Sequence, residues 1–431
     1  MRYLVQFARC HESFRLPEFD SVCELNQVDP AAAYDGEAAR AEVAKGALSS
    51  AVTVVELPSE AVAKAIAQRA VLVHRVTELW GTGSTAEKVA EAVRASGQDD
   101  EEEGRRRSPF LGEDASWSFD VGASGYSRTV EEQEELRQYL AFLPFRGPVR
   151  CKKPDNRFWL WEDFEPEAAY RPGRKANMVY FGREVALGTT REVLNRHDLK
   201  RRKYLGPTSM DHELSLIMAN MALARKGSVI LDPFVGTGSI LIACTHFGSF
   251  CFGTDIDVRV IRGRPGRNVW SNFDQYGLPR PELIRSDNSL YRRHFRASSA
   301  CFYDAIVCDP PYGIRAGGRR SGRRGGEVRP VKKRETYLPT TQPYAMEDVL
   351  ADLMEVSVEA LALGGRLVFL VGATYEFQPE RDLPRHPALR LEHHSTQKLT
   401  MSVCRVLITM KKVAPFDPEF THEAFSKHWR E

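Results

Sequence analysis

Residues 308–313 read Cys-Asp-Pro-Pro-Tyr-Gly, directly after the apolar stretch YDAIV. Two prolines behind an acid stiffen the loop and remove backbone donors. The Asp309 carboxylate and the Pro310 carbonyl are then neighbouring acceptors, and Tyr312 offers a flat ring. Such a set suits a planar NH2 group, which has two hydrogens to give and a face to stack. An exocyclic base nitrogen is a poor nucleophile because its lone pair is delocalised into the ring. Acceptors on both hydrogens return electron density to nitrogen, and Asp309 can take the surplus proton directly or through water. In isolation the same residues also describe a Pro-Pro turn with a capping Asp.

A second constellation lies upstream, in LDPFVGTGSILIACTHFGSFCFGTDID. A strand ends at Asp232, a Gly-x-Gly turn follows at Gly236 and Gly238, and a helix opens at Ser239. The next strand ends at Asp255, 19 residues after Gly236. Glycines let the backbone pass close to a ligand, and an acid about 20 residues on suits a ribose diol. Leu241 stands where a dinucleotide fingerprint has its third glycine, and there is no G-x-x-x-x-G-K-[ST] phosphate loop. Asp232 beside the turn disfavours a pyrophosphate and favours a cationic ligand. S-adenosylmethionine (SAM), with its sulfonium and ammonium, fits better than NAD. Asp287, in IRSDNSL, ends the following strand and can face the adenine amino group, although a Ser-Asp-Asn tripeptide alone also describes a loop.

These residues need a parallel sheet to bring them together, and the pattern from 211 onward supplies one. DHELSLIMANMALA reads as a helix, SVILDPF as a strand, GSILIACTHF as a helix and SFCFGTDI as a strand. YDAIVCDP, MEDVLADLMEVSVEALA and GGRLVFLVG continue the alternation, which implies a doubly wound α/β domain over 211–431. LEHHSTQKLTMSVCRVLITMKK reads as a closing antiparallel hairpin, with His393 and His394 on its surface or edge and no metal site. The first half is α+β. Residues 1–50 read as an opening unit, with the strand RYLVQFA and a helix or loop insert at AAAYDGEAARAEVAKGAL. A β-α-β pattern follows within 51–165, its helix capped by Ser59, with Ala61, Ala65 and Ile66 at helical spacing. The strands SWSFDVG and FWLWEDF and the helix TVEEQEELRQYLAFL complete that domain. The run DDEEEGRRR inside it reads as a solvated, flexible insert. Residues 166–210 are expected to be a linker. No internal repeat is evident.

Taken together, DPFVGTGS, GTDID and DPPYG resemble the SAM-dependent amino-methyltransferases that carry an Asp/Asn-Pro-Pro-aromatic motif. FGREVA, HDLKRRKYLGPTSMDHELSLIMANMA, GTDIDVRVIRG and SNFDQYGLP narrow the resemblance to the catalytic subunit of eukaryotic tRNA (guanosine-10, N2) methyltransferases. The likeness is dense from about 175 to 315 and looser in the N-terminal half, where that family carries a THUMP RNA-binding module. The resemblance implies a Rossmann-like methyltransferase domain behind a THUMP-like half. It implies SAM contacts at Asp232, Gly236, Gly238 and Asp255, with Asp287 near adenine, and a guanine amino group held by Asp309, Pro310 and Tyr312. Thr208, Ser209 and Met210 of PTSMD would lie over the cofactor; equally, Thr208 and Asp211 have the spacing of a helix capping box. The resemblance further implies tRNA as substrate and a small zinc-binding activator as partner in a heterodimer.

Composition narrows the alternatives less. The chain has 431 residues, 60 Lys plus Arg against 58 Asp plus Glu, and a formal charge of +2, so only local patches speak about partners. One patch runs from Arg315 to Arg334, with nine basic residues and one acid, and another is RHDLKRRK at 196–203. Both could grip RNA phosphates, and the first equally reads as a solvated Arg/Gly insert. The N-terminus is no signal peptide, and the longest apolar runs fall far short of a membrane span. Eight scattered cysteines without a C-x-x-C pair fit reduced thiols in an intracellular, cytoplasmic protein. The rivals keep the chemistry and change the substrate (an rRNA guanine, an adenine amino group or a protein glutamine), or drop the chemistry for a non-catalytic RNA-binding subunit. Structured RNA suits the α+β half and the basic patches better than a protein does.

Overall fold

The computed structural model describes residues 1–34, 50–99, 101–164, 175–293, 301–311, 317–322 and 340–417. The chain divides into two compact units, Met1–Arg191 and Glu192–Glu431.

The first unit is built on a six-stranded sheet. Its strands are β1 (Arg2–Phe7), β2 (Val52–Glu56), β3 (Val73–Gly83), β4 (Trp117–Ala123), β5 (Asn156–Asp163) and β6 (Met178–Leu187), in the spatial order β2-β1-β3-β6-β5-β4. All pairings are antiparallel except β4 with β5. Helices α1 (Arg15–Leu25) and α2 (Glu60–Arg69) pack on one part of it, where Phe19, Val22 and Ile66 meet Val5, Val55 and Val76. Ser59 caps α2 as its sequence suggests, accepting from the Val62 N–H at 3.3 Å. The buried face of that helix, however, is Ala63, Ile66 and Ala67. Ala61 faces solvent and Ala65 is half-buried, so of the expected stripe only Ile66 lies in the core. Trp80, Phe158, Phe181, Val89 and Val93 form a second core under α3 (Ala86–Asp99).

Three expectations differ here. Residues 1–50 are not a separate unit, since β1 lies inside the sheet between β2 and β3. The supposed linker 166–210 contains β6, which bridges β3 and β5. The acid–arginine run is helical, not a flexible insert, and forms α4 (Glu101–Arg107). Glu101 pairs with Arg105 at 2.7 Å, one turn apart, and Glu103 pairs with Arg107. Arg106 reaches the buried Glu78 at 2.9 Å, and Arg107, only 5% exposed, donates to the Trp80 carbonyl and Ser96. A buried carboxylate needs cations, and Glu78 takes one from this run and another from Arg183, at 2.9 Å. Most of the expected helix or insert near the N-terminus, 35–49, lies outside the described residues.

The second unit carries a seven-stranded sheet. Its strands are β7 (Val229–Asp232), β8 (Phe250–Asp255), β9 (Glu282–Arg285), β10 (Tyr303–Cys308), β13 (Leu361–Ala373), β14 (Leu389–Lys398) and β15 (Cys404–Lys412). A two-stranded ribbon, β11 (Arg319–Ser321) with β12 (Thr341–Pro343), interrupts the series. The sheet order is β14-β15-β13-β10-β7-β8-β9. The five strands β13, β10, β7, β8 and β9 are mutually parallel, and β15 and β14 close the sheet antiparallel, as the sequence suggests. The chain steps outward from β7 to β8 and β9, then returns to the other flank of β7 as β10. That reversal opens a crevice at the carboxyl ends of β7 and β10, where doubly wound sheets bind their ligands. Ile306, Val307 and Cys308 are fully buried, as parallel strands covered on both faces require. Helices α6 (His212–Met221), α7 (Ser239–His246), α8 (Val269–Tyr276) and α9 (Met346–Ala360) complete the unit, with α5 (Val130–Gln138) belonging to the first.

Candidate active site at the sheet crevice

Asp232 closes β7, and its carboxylate turns back to accept the Phe234 N–H at 2.9 Å, which bends the chain out of the strand. The loop is then tied to β8 by the Val235 N–H on the Thr254 carbonyl at 2.9 Å. Gly236 and Gly238 adopt φ of 51° and 83°. L-side chains are strained there, which is why glycine serves at both places. Gly238 caps α7, and a Cβ on it would come within 2.8 Å of Val269 Cγ1; a Cβ on Gly236 would meet nothing nearer than 3.9 Å. Asp255, at the end of β8, accepts the Gly236 N–H at 3.0 Å and the Asp257 N–H at 2.8 Å. The two acids expected to bind one ligand thus frame one loop.

Asp309 and the buried Pro310 follow β10, on the far side of the crevice. Asp232 is 1% exposed, and burial pushes its carboxyl well above the usual range, with the charges of Asp255 and Asp309 adding to the rise. Burial also raises Asp255. Three carboxyls therefore converge at the ends of three adjacent strands. Such a cluster disfavours a phosphate and welcomes a cation. Tyr312 lies outside the described residues, as does all of the basic stretch 315–334 except 317–322.

Asp287 follows β9 and is buried. One oxygen accepts the Ser289 N–H at 3.0 Å and its hydroxyl at 2.7 Å, and the other accepts the Ser321 N–H from the ribbon. A carboxylate has about four lone-pair sites, so a further donor still fits. The PTSMD segment reaches the glycine loop, with the Ser209 and Thr237 hydroxyls 2.7 Å apart. Thr208 is exposed and Met210 buried. The cap of α6 is Asp211, not Thr208: its carboxylate accepts from the Glu213 and Leu214 N–H groups at 3.0 and 3.2 Å. The His212 ring and these N–H groups hold its pKa at about 2. Of the other titratable groups, His393 lies on β14 opposite Thr409, and burial holds it neutral, at about 4.

One set of positioning residues was not foreseen. Asn272, fully buried on α8, donates to the Tyr204 carbonyl at 2.8 Å and to Thr237 O at 3.3 Å, and accepts the Tyr204 N–H at 2.9 Å. Gln275, one turn on, accepts from the Lys203 N–H and donates to the Arg201 carbonyl at 2.7 Å. Arg202 donates to Ser239 Oγ at 2.7 Å, and Tyr204 to the Val260 carbonyl at 2.8 Å. Residues 201–209 are thus strapped along the glycine loop. The available signal was the three-residue spacing of Asn272 and Gln275 on one helix.

Among the described residues, no helix is long and apolar enough to cross a membrane, and no group of three or more His, Cys, Asp and Glu could hold a metal ion. Residues 1–190 match the model of the Tmrp11 THUMP N-terminal domain, and residues 200–324 match the RMKL-like methyltransferase domain. The tRNA (guanine(10)-N(2))-methyltransferase TRMT11 of Homo sapiens is 34% identical over 432 residues, covering 96% of this chain and 89% of its own length. The Rattus norvegicus protein of that name is 34% identical, covering 99% and 91% of the two chains, and the Dictyostelium discoideum one is 33% identical, covering 96% and 83%. The motif resemblance and the α/β methyltransferase architecture behind a THUMP half are thereby established, and the chain belongs to the TRMT11 family of tRNA (guanine(10)-N(2))-methyltransferases.

Proposed function

We propose that the chain is the catalytic subunit that methylates the exocyclic N2 of a guanosine in tRNA, at position 10, with SAM as methyl donor. The observation that carries the reading is the convergence of Asp232, Asp255 and Asp309 beside a strapped glycine loop at the switch point of the sheet. The residues fit SAM: the buried Asp232 has like charges for neighbours, and a cationic ligand relieves that repulsion. Asp232, Gly236, Gly238 and Asp255 would hold it, Asp287 would take its adenine amino group, and Thr208, Ser209 and Met210 would cover it. Bound there, SAM supplies an electrophilic methyl on a sulfonium.

The rest is work for this chain. Asp309 and the Pro310 carbonyl accept the two N2 hydrogens of the guanine, and Tyr312 stacks on its ring. With both hydrogens held, the nitrogen lone pair is drawn out of conjugation and aimed at the donor. Asp309 then takes the proton that the new bond makes acidic, directly or through water. Fixing the amino group in line supplies much of the acceleration. The target base must leave its stack, at a cost of a few kcal/mol. The basic stretches 315–334 and 196–203 offset that cost by gripping phosphates. A small zinc-binding activator completes the enzyme as a heterodimer in the cytoplasm.

The test is methyl transfer from labelled SAM to unmodified tRNA transcripts, with and without the activator, read as nucleosides. N2-methylguanosine formed by the heterodimer is the expected product. SAM binding without any methylated tRNA would overturn the substrate.

A further inference from the structure

We propose that the turn joining β14 to β15, with Met401 at its apex, is a wedge that packs against the bases flanking the target guanosine and holds that guanosine out of its stack. The proposal rests on the RNA-substrate reading above.

The strand register places this turn at the same end of the sheet as the crevice, to the β13 side of Asp309. β10 and β13 are parallel with Cys308 opposite Phe369, so Leu370 stands level with Asp309. β13 runs on to Ala373, which pairs with Cys404 at the start of β15. Three residues beyond Leu370, at about 3.3 Å each, carry the pair about 10 Å past that level. β15 is two strands from β10, or about 10 Å sideways. Residues 399–403 therefore overhang the same sheet edge that presents Asp232 and Asp309.

The turn is rigid and apolar. The Leu399 and Thr400 N–H groups donate to the Val403 carbonyl at 3.2 and 3.0 Å. Thr400 Oγ1 accepts from the Ser402 and Val403 N–H groups at 3.3 and 3.1 Å. Tyr375, just past the end of β13, donates its hydroxyl to the Thr400 carbonyl at 2.7 Å, fixing its ring beside the turn. On this frame Met401 is 98% exposed, Leu399 46% and Tyr375 45%. A methionine so exposed on a pinned turn packs against nothing among the described residues of its unit. Lys398 is exposed beside it, and Arg405 is held on the neighbouring strand by Gln397.

The chemistry favours a nucleic acid as occupant. Three side chains make a patch far smaller than the roughly 800 Å² per partner of a stable protein interface. Methionine and leucine are among the side chains that enter gaps between base steps, and a fixed tyrosine is a stacking platform. The exposed Lys398, with the half-buried Arg405 on the neighbouring strand, suits the flanking phosphates. An extruded base leaves a gap of that size, and filling it lowers the cost of keeping the base out.

The test compares wild type with Met401→Ser and Leu399→Ser, each as the complex with its activator. Two transcripts are used: a folded tRNA, and the same tRNA with its target guanosine mismatched. A third transcript with 2-aminopurine at the target position reports unstacking by fluorescence. The variants should lower kcat/KM on the folded tRNA about tenfold, or about 1.4 kcal/mol. They should also blunt the fluorescence rise, and leave SAM binding and the rate on the mismatched tRNA near wild type. Unchanged rates on both transcripts would overturn the wedge, as would equal losses on both. Loss of the activator from the complex would assign the turn to a protein instead. A wild-type complex inactive on both transcripts would overturn the substrate reading, and this proposal with it.

Discussion

The two glycines of the cofactor loop should fail differently when each is replaced by alanine. Both have positive φ, 51° at Gly236 and 83° at Gly238, so either substitution strains the backbone by about 1–2 kcal/mol. Beyond that they diverge. A Cβ at Gly238 meets Val269 Cγ1 at 2.8 Å and Phe273 Cε2 at 3.4 Å, inside the packed junction of α7 and α8. Relief requires one helix to move, at a typical overpacking cost of about 1–3 kcal/mol. A Cβ at Gly236 meets no atom nearer than the Phe234 carbonyl at 3.9 Å and enters the space framed by Asp232 and Asp255. Gly236→Ala should therefore lower the melting temperature of the second unit by only about 2–8 °C, and Gly238→Ala by about 4–20 °C, at 2–4 °C per kcal/mol. SAM affinity should order them the other way. Gly236→Ala should bind at least about 100-fold more weakly, because its methyl occupies the ligand's path, while Gly238→Ala keeps the larger share. Scanning calorimetry and titration calorimetry on the same preparations decide it. Equal affinities for wild type and Gly236→Ala would refute the placement of the ligand on this loop.

Other consequences concern charge, the strap and the first unit. Burial raises the Asp232 pKa, so the folded protein keeps a proton that the unfolded chain has lost. That contribution is full below the ordinary carboxylate value near 3.9 and is lost as pH rises through the folded pKa. Without cofactor, Asp232→Asn should then be the more stable form at pH 8, yet bind SAM about 10–100-fold more weakly; a less stable variant would contradict the burial argument. Wild-type SAM binding should release protons as the cation favours ionised Asp232, counted by calorimetry in two buffers, and Asp232→Asn should release fewer. Asn272→Ala removes three hydrogen bonds that hold the strap to the loop and should cost about 3 kcal/mol. Its KM for SAM should rise more than its kcat falls, and the reverse would place Asn272 in the chemistry. Arg107→Ala should destabilise the first unit by about 2 kcal/mol, since it strips one of the two arginine partners of Glu103 and the donor to the Trp80 carbonyl. Trp80 lies 5.2 Å from that guanidinium, so tryptophan fluorescence follows the transition.

The second unit was the more legible half, for a physical reason. Strands such as VILD and YDAIVC are buried on both faces, so they appear as short unbroken apolar runs. The proposed ligand residues sit at their ends, where glycine, proline and acid interrupt the pattern. The first unit is an antiparallel sheet whose partners are distant in sequence: Arg183 on β6 lies opposite Glu78 on β3. Local pattern does not announce such a pairing, and β6 passed for linker. The same distance hid the role of α4. Counting charges makes DDEEEGRRR a solvated run, whereas Glu78 draws in Arg106 and the Trp80 carbonyl takes Arg107. Asn272 and Gln275 were missed because polar residues on a helix read as its wet face; only the backbone groups of the strap give them partners. Strand order, and with it the crevice between β7 and β10, was not legible at all, since nothing in a strand's own residues names its neighbour.

The central claim is that Asp309 and its loop hold the amino group being methylated. Its most direct test is Asp309→Ala in the heterodimer, with SAM affinity and single-turnover methyl transfer to tRNA measured on the same sample. The account predicts SAM affinity within a few-fold of wild type. It predicts transfer slowed by about 10²–10⁴, the span of a lost acceptor and general base, with N2-methylguanosine missing from the digest. Transfer at the wild-type rate would contradict the account and place the chemistry elsewhere.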